Sequence, residues 1–278
     1  MSALAPATGP SLEFRITYEA SLVEEGVLLA EKLLPAARAA AFRSERDRIY
    51  EVRDRDEREA RFEELHGRFF VQLALDRPLH EALSERPELM RRTRACRVLP
   101  ATSRREEGAD LRAEVDAGAA GALPTIVLRL CPSSLLQGEP LLTLLRRELL
   151  HVADMVDPAF GYRPELPLVH DDPAILGLVR ERYRVVWGLT VDGRLYRARR
   201  AGLRARGERF ADFLRTFPAL GGGAEAAFAT WFDGPRPTHE AILEFVLQTL
   251  GPATAAMDRM IQGRPAVGGV DSRPPSKG

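Results

Sequence analysis

Lysine is nearly missing from this 278-residue chain: of forty basic residues, all but Lys32 and Lys277 are arginine. Arginine scattered through every segment marks no single site. Forty acidic residues cancel the basic ones, and a chain without net charge has no general electrostatic hold on nucleic acid or on an anionic membrane. Cysteine is as scarce. Cys96 and Cys131 are too few for a disulfide framework and lack the paired spacing of a thiolate metal site. No apolar run reaches the roughly 18 residues needed to span a bilayer. The start, Met1-Ser2-Ala3-Leu4, has no basic stretch leading into an apolar one, so the expected home is a reducing cytoplasm. What remains is ordinary: 45% hydrophobic and 29% charged residues, the balance of a folded chain rather than a disordered one.

The pattern along the chain is mainly helical. Residues 1–11 read as a flexible lead, 12–94 as a helical N-terminal region, 95–268 as an α+β region, and the Pro-, Ser- and Gly-rich 269–278 as a flexible tail. Val23, Val27, Leu28, Leu33 and Leu34 suit one helical face. The run from Arg43 to Glu64 is dominated by charge and reads as a solvated helix, with Glu51–Arg55 and Asp54–Arg58 as expected ion pairs. Leu79 to Met90 suits a short helix. Strands are expected at Ala95–Leu99, Ala109–Val115 and Thr125–Leu130, the last being the clearest.

A central helix follows, from about Leu141 to Val156, stopped by Asp157-Pro158. Further helices are expected near Pro173–Trp187, Glu208–Phe217, Ala224–Phe232 and Pro237–Leu250, with Thr238 capping the last. On the central helix, Leu142, Leu145, Leu149, Val152 and Val156 form a core-facing stripe. Arg147 and His151 lie one turn apart on another face, with Glu148 beside them and Asp154 three residues beyond His151.

Arg147-Glu148-Leu149-Leu150-His151 resembles the His-Glu-x-x-His signature of zincin metallopeptidases. The longer stretch Leu145 to Tyr162, with its Asp157-Pro158-Ala159-Phe160-Gly161-Tyr162 turn, is similar to the centre of an uncharacterised bacterial zincin-like family. The resemblance implies a mainly helical α+β zincin-like domain with a small sheet before the motif helix. It implies an edge strand beside that helix, for which Thr125–Leu130 stands in a suitable place. It implies Glu148 as the catalytic base and His151 as a metal ligand; spacing does not fix a further ligand and leaves Asp154, Asp157, Glu181 and Asp192 as candidates. The first histidine of the signature is here Arg147, which has no lone pair and stays protonated, so it cannot ligate a metal. The cofactor is therefore either none or zinc, according to whether Arg147 closes the site.

Arg147 is expected to pair with Glu148, Asp154 or a later carboxylate; Asp192 is the preferred partner for His151 or Arg147, and its other reading is a turn residue in Asp192-Gly193. Asp157, Tyr162 and Tyr183 are further candidates for the cleft wall. His66 reads as exposed or bonded to Glu63, His80 as local, His170 with Asp171-Asp172 as an acidic loop, and His239 as helix-start packing. Ser133-Ser134 lacks a nucleophile elbow, and Cys131, followed by Pro132, reads as a buried thiol. Three functions stay open. One is a zincin-like protein with a degenerate metal site and little or no hydrolysis. The others are an active metal-dependent peptidase with rearranged ligands, and a structural module that binds a peptide or protein. No specific nucleic-acid partner and no membrane is expected.

Overall fold

The computed structural model describes residues 14–113, 123–165, 172–200 and 206–250. It begins with a short strand, β1 (Arg15–Tyr18), which the sequence pattern does not announce. Five helices follow: α1 (Ala20–Glu31), α2 (Ala36–Ile49), α3 (Arg55–Gln72), α4 (Arg77–Ser84) and α5 (Pro87–Arg92). Three strands come next, β2 (Ala95–Pro100), β3 (Gly108–Arg112) and β4 (Thr125–Leu130). A 3-10 turn at Pro132–Leu136 leads into α6 (Gly138–Val156), α7 (Pro173–Arg197) and α8 (Arg206–Thr216). After a second such turn at Pro218–Gly223 come α9 (Ala224–Phe232) and α10 (His239–Gln248). The chain is thus mixed α+β and predominantly helical. Among the described residues no helix is long and apolar enough to cross a membrane.

The four strands form one sheet in the order β1-β2-β4-β3. β1 runs parallel to β2, β2 parallel to β4, and β3 antiparallel to β4. This corrects one expectation. Thr125–Leu130 is not an edge: it is paired on both sides, with Cys96 opposite Ile126 and Asp110 opposite Val127. Its residues are buried on both faces except Arg129, which explains a continuous apolar run instead of an alternating one. The strand at the edge beside α6 is β3. Pairing of β1 with β2 also ties the N-terminal region into the same sheet as the region after Ala95.

The charged run divides into two helices with a break after Ile49. Asp54 is occupied as the cap of α3, accepting from the Glu57 amide at 2.8 Å, and Glu51 lies in the break. The ion pairs form instead at Arg55–Glu59 and Arg61–Glu57. α1 ends at Glu31, leaving Leu33 exposed while Leu22 and Val27 enter the core. His66 is not exposed: it is buried near the Phe42 and Phe62 rings. Pro87 divides the stretch expected as one helix into α4 and α5.

α6 buries Leu142, Leu145, Leu149 and Val152 as its spacing requires, packing on α4, β3 and α7. Val156 is only partly buried. α7 starts at Pro173 under the Asp172 cap and does not stop at Trp187. It continues through Asp192-Gly193, which is therefore helix and not turn. Gly193 has a packing reason: a Cβ there would lie 1.9 Å from the Phe232 carbonyl oxygen, so α9 approaches α7 where no side chain intervenes. Thr238 caps α10 by accepting from the Ala241 amide at 3.1 Å.

Two glycines of α7 should respond oppositely to alanine. We predict that Gly193→Ala costs at least about 2 kcal/mol, because the clash is with backbone and one helix must move. At Gly177, where nothing lies within 4 Å of a built Cβ, the same exchange should add about 0.5–1 kcal/mol by removing glycine's entropy cost in a helix. Urea unfolding of both variants is the check, and equal responses would overturn the packing argument.

Candidate functional site

The site is assembled from α6, α7, α8 and β3. From α6, the Arg147 guanidinium points its Nη1 at Glu148 Oε1, 2.9 Å away, and its Nε at Asp192 Oδ1 of α7, 3.2 Å away. Asp192 is only 2% exposed, and its second oxygen meets Arg209 of α8. One carboxylate thus joins two guanidiniums from two helices. Gly188 lies one turn before Asp192 on α7. A Cβ there would come within 3.0 Å of Arg147 Nη2, so the missing side chain gives the guanidinium its seat.

Glu148 is held from both sides. Arg147 takes one oxygen, and the amide of Ala109 on β3 donates to the other at 3.3 Å. Burial pushes its carboxyl above the usual range, and Arg147 and the Ala109 amide only partly offset this. Burial does the same to Asp192 against Arg147 and Arg209. His151 packs edge-on against the Trp187 ring, with centroids 4.7 Å apart. Its pKa lies well below the usual value, first through burial and then through the guanidiniums of Arg147, Arg194 and Arg209. The imidazole is thus neutral at pH 7.

Asp154 does not join this group. It is fully buried and accepts from Trp187 Nε1 at 2.9 Å and from both Nη atoms of Arg194 at 2.8 and 2.5 Å. Its place is in the α6–α7 interface. Asp157 secures the turn after α6, accepting from the Ala159 amide at 3.0 Å, with Arg236 at 2.6 Å and Arg92 at 3.3 Å. The Ala159 amide and Arg236 hold its carboxyl below the ordinary range. The Tyr183 hydroxyl lies 2.5 Å from His239 Nδ1, and the Tyr162 ring lies beside Trp187 and His239. These aromatics form the packing beside α6. His80 is local, 3.6 Å from Asp76. His170 and Asp171 lie outside the described residues.

Several contributors escape the sequence reading: Gly188 and Arg209 around the motif, and Gly108-Ala109 on β3. The spacing of Gly188 and Asp192 by one helical turn carries a usable signal, a gap and a charge on one face. A cavity of about 410 Å³ opens beside Arg147, lined also by Gly188, Arg209 and Asp212. Elsewhere, the Cys131 thiol is raised by burial and then by Glu107, whose carboxylate accepts from the Cys131 amide at 2.9 Å. That setting opposes a thiolate nucleophile.

The donor set does not suit zinc. Catalytic zinc takes three protein ligands and an open position. Among the described residues no three His, Cys, Asp or Glu side chains come together so as to hold a metal ion. Arg147 brings a fixed positive charge between Glu148 and Asp192 instead. Each Glu148 oxygen already accepts one hydrogen bond, from Arg147 and from the Ala109 amide.

A histidine with a lowered folded pKa adds stability above its unfolded value near 6.5, and this is lost as pH falls, because the unfolded chain takes the proton first. His66 and His239 shift the same way. The raised Glu148 and Asp192 act oppositely, their contribution being lost as pH rises through their folded values. We predict that wild type loses stability from pH 6.5 towards 5 more steeply than His151→Gln, by up to about 1.4 kcal/mol per pH unit. Parallel pH profiles in denaturant titrations would refute the burial of a neutral His151. Compared with known proteins, the chain matches no family model, no curated protein and no solved structure.

Proposed function

We propose that this chain is a zincin-like scaffold whose metal site is degenerate, with little or no hydrolysis left, and that it acts by binding a peptide or protein in the cytoplasm. The observation that carries this reading is the position of Arg147. Its guanidinium stands between the carboxylates of Glu148 and Asp192. A fixed organic cation there, with Arg209 on the far oxygen of Asp192, balances the two acids without supplying a Lewis-acid centre or an activated water. The engagement of Glu148 by the Ala109 amide supports the same reading. So does the diversion of Asp154 to Trp187 and Arg194, which leaves His151 without that partner. The two cysteines are unpaired, in keeping with a reducing compartment.

Zinc content is the test. Protein dialysed without chelator should carry well under one zinc per chain by elemental analysis. Tight one-to-one zinc that disappears in His151→Ala would sink the degenerate-site reading and favour a peptidase with rearranged ligands. We further predict that folded Arg147→His gains at least about tenfold in zinc affinity, about 1.4 kcal/mol, by calorimetry. No gain would count against the correspondence of Arg147 with the first zincin histidine.

A further inference from the structure

A second cavity, of about 270 Å³, lies between α5, the C-terminal half of α6 and α7. Its lining draws arginines from four separated stretches: Arg86 before α5, Arg92 on it, Arg194 on α7 and Arg236 before α10. Three acids share the lining, Glu88, Asp154 and Asp157, so four positive charges face three negative ones. The acids are also already served. Asp154 accepts from Trp187 and both Nη atoms of Arg194, and Asp157 from Arg92, Arg236 and the Ala159 amide. Each guanidinium carries five N–H donors, and among the described residues those of Arg86 meet no carboxylate within hydrogen-bonding distance.

Arg86 is the clearest excess. Among the described residues its ion-pair partner is Glu88 at 3.8 Å, beyond hydrogen-bonding distance and itself 37% exposed. Burial, with Arg200 and Arg194 nearby, lowers the Arg86 pKa against the help of Glu88 and Glu85. A guanidinium kept in such company is relieved by an anion. The carbonyl end of α6 would repel one, but Arg92 Nη1 covers the Val156 oxygen at 3.0 Å.

We propose that this cavity binds a phosphate group, with Arg86 as its principal new contact and Arg92, Arg194 and Arg236 as a preset positive wall. A tetrahedral dianion accepts from several directions at once, which suits guanidiniums arriving from four stretches of chain. A planar carboxylate offers a single fork and one charge. A metal cation is opposed by the surplus of arginine. This site is separate from Arg147, so it stands or falls independently of the zinc question.

The experiment is a thermal-unfolding titration with inorganic phosphate at constant ionic strength, with chloride and acetate as controls. The melting temperature should rise and saturate with phosphate, as ligand binding to the folded state requires, and should not do so with the controls. Arg86→Gln leaves the Asp154 and Asp157 pairs in place and should weaken the apparent phosphate affinity at least about tenfold. Arg86→Lys, keeping the charge but not the fork, should fall between them. A parallel titration with O-phosphoserine separates the sources. Tighter binding than inorganic phosphate supports the site as one for a phosphate ester, and equal binding supports it as one for the free ion. A phosphate response no larger than that of chloride, or an undiminished response in Arg86→Gln, overturns the proposal.

Discussion

Asp192 is the point to which the candidate site is fastened. It is nearly inaccessible to water, it lies in the C-terminal part of the longest described helix, and it faces guanidiniums from α6 and α8 together. A buried carboxylate is costly unless paired and hydrogen-bonded. Arg147 and Arg209 meet that requirement, and in doing so they fix how α6, α7 and α8 face one another. Arg147 then passes the constraint on to Glu148, and Glu148 passes it to the Ala109 amide on β3. A line of polar contacts therefore runs from α8 to the edge of the sheet, through the residues that a hydrolase would need free.

α7 makes this possible through residues that it lacks as much as through those it has. Gly188 leaves space for a guanidinium, and Gly193 leaves space for the backbone of α9. Between them Asp192 supplies the charge. Trp187 adds a dual contact, stacking with Phe160 while donating to Asp154. On the same carboxylate, Arg194 closes the second buried ion pair, the one that holds Asp154 apart from His151. The two acids of the supposed ligand set are thus drawn to different arginines, and α7 carries the means for both.

Much of this framework is legible in the amino-acid order. Thr125–Leu130 and the leucine stripe of α6 declare themselves because apolar periodicity is strong where burial is strong. The Thr238 cap is a local rule obeyed locally. β1 goes unseen because four residues with one alternation carry too little pattern, and only its pairing with Ala95–Val98 makes it a strand. Asp192-Gly193 misleads in an instructive way. The dipeptide has turn chemistry, yet the aspartate is bound by distant arginines and the glycine is chosen for a helix contact, so neither is used as a turn. Asp154 misleads for a related reason. Spacing puts it near His151 along the helix, but the tryptophan and arginine that claim it lie 33 and 40 residues further on, and no local pattern reports on them. The mixed α+β class follows from such patterns, whereas the chemistry of the site depends on long-range pairs.

The pairing of Arg15 with Ala95 also bears on how the chain is made. A ribosome releases β1 first, then five helices, and only afterwards the strand against which β1 lies. Through that interval β1 has no sheet to join, and its backbone donors and acceptors are met by water. The parallel crossover closes late, after a long loop has been drawn in. The helices between therefore do more than cover the sheet: they must collapse into an arrangement that keeps a place for a strand whose partner has yet to emerge.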